Sequence, residues 1–145
     1  MPLGSAEPFN LSIKKFNKAT NAQLALGKVC VRNEAITPDG WKVAGADAAG
    51  PFVVPVNELA ATTDAYFAGA QAPAEVIMEA GAAIQPGSAV KSDTNGDVVP
   101  ADTLSTAPDD ALTIVGRYLG KEGDALATAA ADGDKVRIKL GGLVG

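Results

Sequence analysis

Seven residues do most to restrict what this chain can become. Asp134-Lys135-Val136-Arg137-Ile138-Lys139-Leu140 alternates charged and aliphatic side chains without a break. A strand sends successive side chains to opposite faces, so Val136, Ile138 and Leu140 belong to a core and Lys135, Arg137 and Lys139 to water. The segment therefore calls for a sheet with one wet face.

The residues before it supply neighbouring strands. Gly81-Ala82-Ala83-Ile84-Gln85-Pro86-Gly87 is turn chemistry, and Ser88-Ala89-Val90-Lys91-Ser92 is short enough for one strand. Asp93-Thr94-Asn95-Gly96-Asp97 must reverse the chain. Its Asn-Gly pair suits a type I′ turn, in which both central residues take positive φ. Val98-Val99 returns and Pro100 ends the strand. After an Asp/Pro-rich loop at 103–110, residues 111–119 are rich in β-branched and aromatic side chains and too short for a typical helix. They read as a strand.

A similar series comes earlier. Leu26-Gly27-Lys28-Val29-Cys30-Val31 matches 86–90 in placing a β-prone run after a glycine, and Asp39-Gly40 with Trp41-Lys42-Val43 matches Asn95-Gly96 with Val98-Val99. Residues 52–56 match 113–117, and 75–81 match 135–141 with their aliphatic positions in step. The pattern points to an internal duplication, with loops free to drift while strands keep step. Between the halves, residues 57–61 and 63–69 each suit a helical turn, with Asn57 or Thr63 as N-cap and Gly69 as the stop. Tyr66-Phe67, the one aromatic pair, then lies in a connection, where it either contacts a partner or plugs the end of a barrel.

The first twenty residues differ from the rest. Two prolines and a glycine make the first eight extended or disordered by themselves. Phe9, Leu11 and Ile13 then alternate with polar residues, and Lys14, Lys15 and Lys18 cluster around Phe16 in an otherwise acidic chain. Two readings fit: the first strand of the fold, or an arm that lies along a neighbouring protein by strand addition or groove filling. The second makes Phe9, Leu11, Ile13, Lys14, Lys15, Phe16 and Lys18 partner contacts, together with Tyr66 and Phe67. The expected architecture is all-β. It comprises an extended N-terminal arm at 1–20, a small barrel- or sandwich-like domain at 21–145 made of lobes at about 21–81 and 82–145, and at most one short helix.

Residue usage narrows the chemistry. There is no histidine, which removes the commonest general base and transition-metal ligand, and one cysteine cannot build a disulfide framework or a zinc site of usual composition. Cys30, between two valines, reads as a small apolar filler. Asp93, Asn95 and Asp97 have the spacing that opens a calcium loop, but Gly96 falls one place early and the twelfth position is Leu104. Gly116 to Gly123 lacks the Gly-Lys-Ser/Thr ending of a phosphate loop. No catalytic residue, cofactor or metal is expected. A net charge of −5 argues against nucleic acid as partner, and no apolar run approaches a membrane span or a signal segment, so a cytosolic origin is the default.

Gly81 to Asp93, then Asn95-Gly96-Asp97-Val98-Val99-Pro100-Ala101, then Ile114-Val115-Gly116, then Ala130 to Ile138 resemble, in order and spacing, the small head-decoration or capsid cement proteins of tailed bacteriophages. The likeness covers the second half directly and the first half through the repeat; it offers no motif for the N-terminal segment or for Tyr66-Phe67. What it implies is a non-enzymatic module on the outer surface of the virion, made in the host bacterial cytoplasm. Its partners would be the HK97-like major capsid protein and itself as a homotrimer, with no nucleic acid or membrane. It would reinforce the head by bridging capsomers. Deleting residues 1–18 is then expected to leave a folded protein that no longer coats shells. The alternative is a surface- or carbohydrate-recognition module of a tail or fibre, for which Trp41 is the only good aromatic platform.

Overall fold

A computed structural model describes residues 3–4, 13–17, 25–32, 40–56, 66–101, 112–123 and 128–141, with the side chains of 13–17 and 66 left aside. Ten strands lie among them: β1 (Ile13–Asn17), β2 (Cys30–Arg32), β3 (Trp41–Val43), β4 (Val54–Pro55), β5 (Tyr66–Ala70), β6 (Glu75–Glu79), β7 (Ala89–Ser92), β8 (Val98–Pro100), β9 (Gly116–Lys121) and β10 (Lys135–Leu140). The described residues contain no α-helix and only a short 3₁₀ turn at 112–113. The fold is all-β.

The strands form a five-stranded sheet in the order β6-β10-β9-β7-β8, a three-stranded sheet β1-β5-β4 and the hairpin β2-β3. A bridge joins the last two: Cys30 N–H donates to the Val53 carbonyl at 2.8 Å, and Val53 N–H donates back at 3.0 Å. With that bridge the first half runs β1-β5-β4-β2-β3, which repeats the order of the second half element for element. The hairpins agree in detail, since Ala44 N–H donates to Val29 and Ala101 N–H to Ala89, at 2.8 and 2.9 Å.

This correspondence differs from the sequence alignment in one place. Residues 75–79 are not the counterpart of 135–139; they are its antiparallel neighbour, paired from Glu79↔Lys135 to Glu75↔Lys139. By topology β6 answers β1 and β10 answers β5, so the repeated units are 13–70 and 75–140, with the seam between β5 and β6. The two segments look alike because Val76, Met78, Val136 and Ile138 line the same core.

That core is shared by both units. Val29, Val54, Val56, Val76, Met78, Ile84, Val90, Val98, Tyr118, Val136 and Ile138 form one buried cluster, and Trp41, Val53 and Phe67 form a smaller one. On β10, Val136, Ile138 and Leu140 point inward and Lys135 and Lys139 outward, as the alternation requires. A parallel bridge from Ala80 to Val98 brings β8 back toward the end of β6, but the sheets do not close into a barrel.

Three local expectations change. Tyr66–Ala70 is a strand, held by β1 on one side and β4 on the other, instead of a helical turn ending at Gly69; Asn57 and Thr63 lie outside the described residues. β9 starts at Gly116, because 112–113 still turn. The reversal at 93–97 is not type I′: Gly96 has φ 78°, whereas Asp47 is the one non-glycine residue with positive φ among those described. Gly96 N–H donates to the Asp93 carbonyl at 3.2 Å, and the Asp93 carboxylate accepts from Asn95 and Asp97 N–H at 2.8 and 2.9 Å. The result is an Asx-capped β-turn followed by a left-handed glycine, a five-residue hairpin loop.

Candidate functional site

Two segments expected to meet a partner, fifty residues apart in the chain, are adjacent strands. β1 pairs antiparallel with β5 in the register Ile13↔Ala70, Lys14↔Gly69, Lys15↔Ala68, Phe16↔Phe67 and Asn17↔Tyr66. The structure thus brings Ile13, Lys14, Lys15 and Phe16 together with Tyr66 and Phe67; Phe9, Leu11 and Lys18 lie outside the described residues. Phe67 is corrected from partner contact to core, since its ring is buried with Trp41 and Val53. Trp41 itself is 6% exposed, which removes it as a binding platform.

The N-terminal segment is likewise joined to the body of the protein. Besides the five-residue ladder of β1, Gly4 N–H donates to the Ile77 carbonyl on β6 at 2.8 Å. Gly4 has φ 78°, and a side chain there would press within 3.0 Å of the Pro55 carbonyl and 3.2 Å of Gly27 N. Of the two readings of this segment, the first-strand reading holds at 13–17. A deletion through residue 18 would remove a sheet strand and could not separate folding from binding. What the geometry leaves for function is an edge: among the described strands β1 has β5 as its one neighbour, and an edge backbone is where another chain can add a strand.

The loop at 93–97 docks the second unit on the β2–β3 hairpin of the first. Val29 N–H donates to the Gly96 carbonyl at 2.8 Å, and a side chain on Gly96 would strike Val43. The buried Ser92 hydroxyl donates to the Gly45 carbonyl at 2.7 Å, and Lys91 pairs with Asp47 at 2.6 Å. Lys28 donates to Asp97 and lies 3.5 Å from Glu79. Burial works against the Lys28 ammonium, but its hydrogen bond to Asp97 and the two carboxylate charges outweigh that and raise it above its ordinary 10.5. Asp97 is pushed up as well, by burial first, with Asp93 and Glu79 adding like charge against the pull of Lys28. Two carboxylates facing a single ammonium keep Lys28 charged. Ser92 and Gly45 are 47 residues apart in the chain and Lys91 and Asp47 are 44 apart, so no local signal marks a seam built by long-range partners.

The Cys30 thiol is fully buried, and burial pushes it up to about 12, so it is not a nucleophile at neutral pH. Among the described residues no group of three or more His, Cys, Asp and Glu is placed to hold a metal ion. A groove of about 360 Å³ lies where the starts of β4 and β9 meet the ends of β5 and β10, lined mainly by Pro51, Phe52, Ala72, Ile114 and Leu140. It is apolar and carries no reactive group. No protein-family model matches this sequence, and no curated protein compared with it matches either.

Proposed function

We propose that this chain is a decoration protein of a tailed-bacteriophage head, binding the exterior of an HK97-like shell and stabilising it by bridging neighbouring capsomers. The observation that carries the reading is that all four segments bearing the resemblance fall in consecutive parts of one sheet. Residues 81–93 supply a turn and β7, 95–101 complete the hairpin through β8, 114–116 lead into β9, and 130–138 lead into β10. A continuous architectural unit is a better basis for a likeness than scattered turns.

The physics of such a role asks for a rigid scaffold with an adhesive rim. One buried core running through both units supplies the first, and the outer edge of β1 offers the second. A ligand that binds only the assembled shell stabilises that state by mass action, by roughly 2.7 kcal/mol per site at a free concentration of a hundred times Kd. A homotrimer would add avidity without stronger single contacts. Burial of Trp41 takes away the feature that favoured carbohydrate recognition.

The test is co-sedimentation of the full chain with purified expanded heads of the phage that encodes it, stripped of their own decoration protein. Saturable pelleting with heads, and none with unassembled capsid subunits, is the expected result. Absence of pelleting with heads rejects the proposal.

A further inference from the structure

We propose that the outward face of β9 and β10 docks an acidic protein surface, with Arg117 and Lys139 as charged anchors and Leu119 as the apolar one. Under the function proposed above, on which this identification of the partner rests, that surface belongs to the shell protein.

The charges of the chain are segregated. Overall there are 12 Lys and Arg against 17 Asp and Glu, yet β9 and β10 carry Arg117, Lys121, Lys135, Arg137 and Lys139 and not one acid. Within this ribbon Arg117 and Lys139 are direct cross-strand partners. Like charges opposite one another destabilise a sheet, and neither side chain has an ion-pair partner among the described residues. Lys28, Lys91, Lys121 and Arg137 all do. A local conflict with no ion-pair compensation among the described residues is the kind of feature that function explains.

The backbone shapes the same spot. The register passes from Arg137↔Gly120 to Ile138↔Tyr118, so Leu119 is the extra residue of a β-bulge, a device that re-aims a side chain. Gly120, at φ 152°, takes a conformation that side chains disfavour. Leu119 is 37% exposed and, with Leu112, is one of two exposed large apolar side chains among the described residues. Beside it is an open depression of about 340 Å³, lined by Leu119, Gly120, Lys121, Gly123 and Arg137. An apolar knob beside an open dip, on the same outward face as Arg117 and Lys139, fits a protein surface offering carboxylates beside an apolar patch.

Other occupants fit less well. Glu75, Glu79 and Asp134 border the ribbon, and with the net charge of −5 they oppose a long phosphate backbone. A second copy of this chain would have to bring acids of its own. Among the described acids, Asp47, Glu75, Glu79, Asp97 and Asp134 already pair with lysine or arginine at home and Asp93 caps its own turn; an exposed acid such as Asp132 makes self-association an outcome that the experiment below decides.

The experiment compares the wild type with Arg117→Glu, Lys139→Glu and, as a charge-matched control on the exposed side of β3, Lys42→Glu, each first shown by urea unfolding to be folded. Titrations against stripped expanded heads and against poly-L-glutamate are run at about 0.1 M salt, where surface pairs are felt over roughly 10 Å. Both ribbon variants should bind roughly tenfold more weakly, and Lys42→Glu should bind as the wild type does, since one reversed interfacial charge commonly costs about 1.4 kcal/mol or more. If heads bind all four proteins alike, the docking face is overturned while the cement reading stands. If heads bind none, that reading fails, and poly-L-glutamate decides the face: selective loss in the ribbon variants upholds it and equal binding overturns it. Tighter binding of duplex DNA than of poly-L-glutamate, or wild-type self-association that the ribbon variants abolish in sedimentation velocity, overturns the choice of an acidic foreign protein.

Discussion

The Cys30 thiol is fully buried and donates only a weak contact to the Lys28 carbonyl, at 3.6 Å. Burial moves it from 9.0 to about 12. Between those values the folded chain keeps a proton that the unfolded chain has lost, so stability is intact below pH 9 and falls as pH rises toward 12. At pH 10 the loss relative to pH 7 is on the order of 1 kcal/mol from this group alone. Urea unfolding at the two pH values should show a loss in Cys30→Ala that is smaller by that amount than the loss in the wild type; equal pH dependence in both proteins contradicts this role for Cys30. The role of Cys30 as apolar filler was legible from its valine neighbours. That of Lys28 was not, because its partner Asp97 is 69 residues away.

Among elements, the β9–β10 pair depends on one small residue. A Cβ on Gly116 would land on the carbonyl oxygen of Lys139, with the carbonyl carbon at 2.9 Å, and backbone cannot swing aside as a side chain can. Gly116→Ala is expected to cost about 3 kcal/mol in urea unfolding. Gly45→Ala, which meets nothing within 4 Å, should change stability by less than about 1 kcal/mol; similar midpoints for the two variants contradict the close packing described. Elements with one wet face were readable: β10 alternates because water lies on one side of it. On β6, Val76, Ile77 and Met78 are all buried, so no alternation records its facing. Tyr-Phe-Ala-Gly-Ala lacks β-branched residues, and β5 is a strand because β1 and β4 pair with it from both sides. The loop at 93–97 was recognised as a reversal from Asn95-Gly96, but its turn type is set by the Asp93 carboxylate.

At the scale of the molecule, one strand order used twice and one core running through both uses yield a scaffold with edges. The repeat was visible in the spacing of turns, whereas the seam between units was not, since lining a common core made β6 and β10 resemble each other more than either resembles its topological counterpart. The β1–β5 edge was half legible: the alternation around Ile13 marked a strand, while the burial of Phe67 depends on Trp41 and Val53 from other elements. Under the function proposed above this scaffold works by adhesion to an assembled shell, and linkage makes that measurable. The disruption temperature of stripped expanded heads, followed by light scattering against increasing concentrations of the full chain, should rise and level off at saturation, and should not respond to an equal concentration of heat-denatured chain. A disruption temperature that stays constant across the titration would contradict the account.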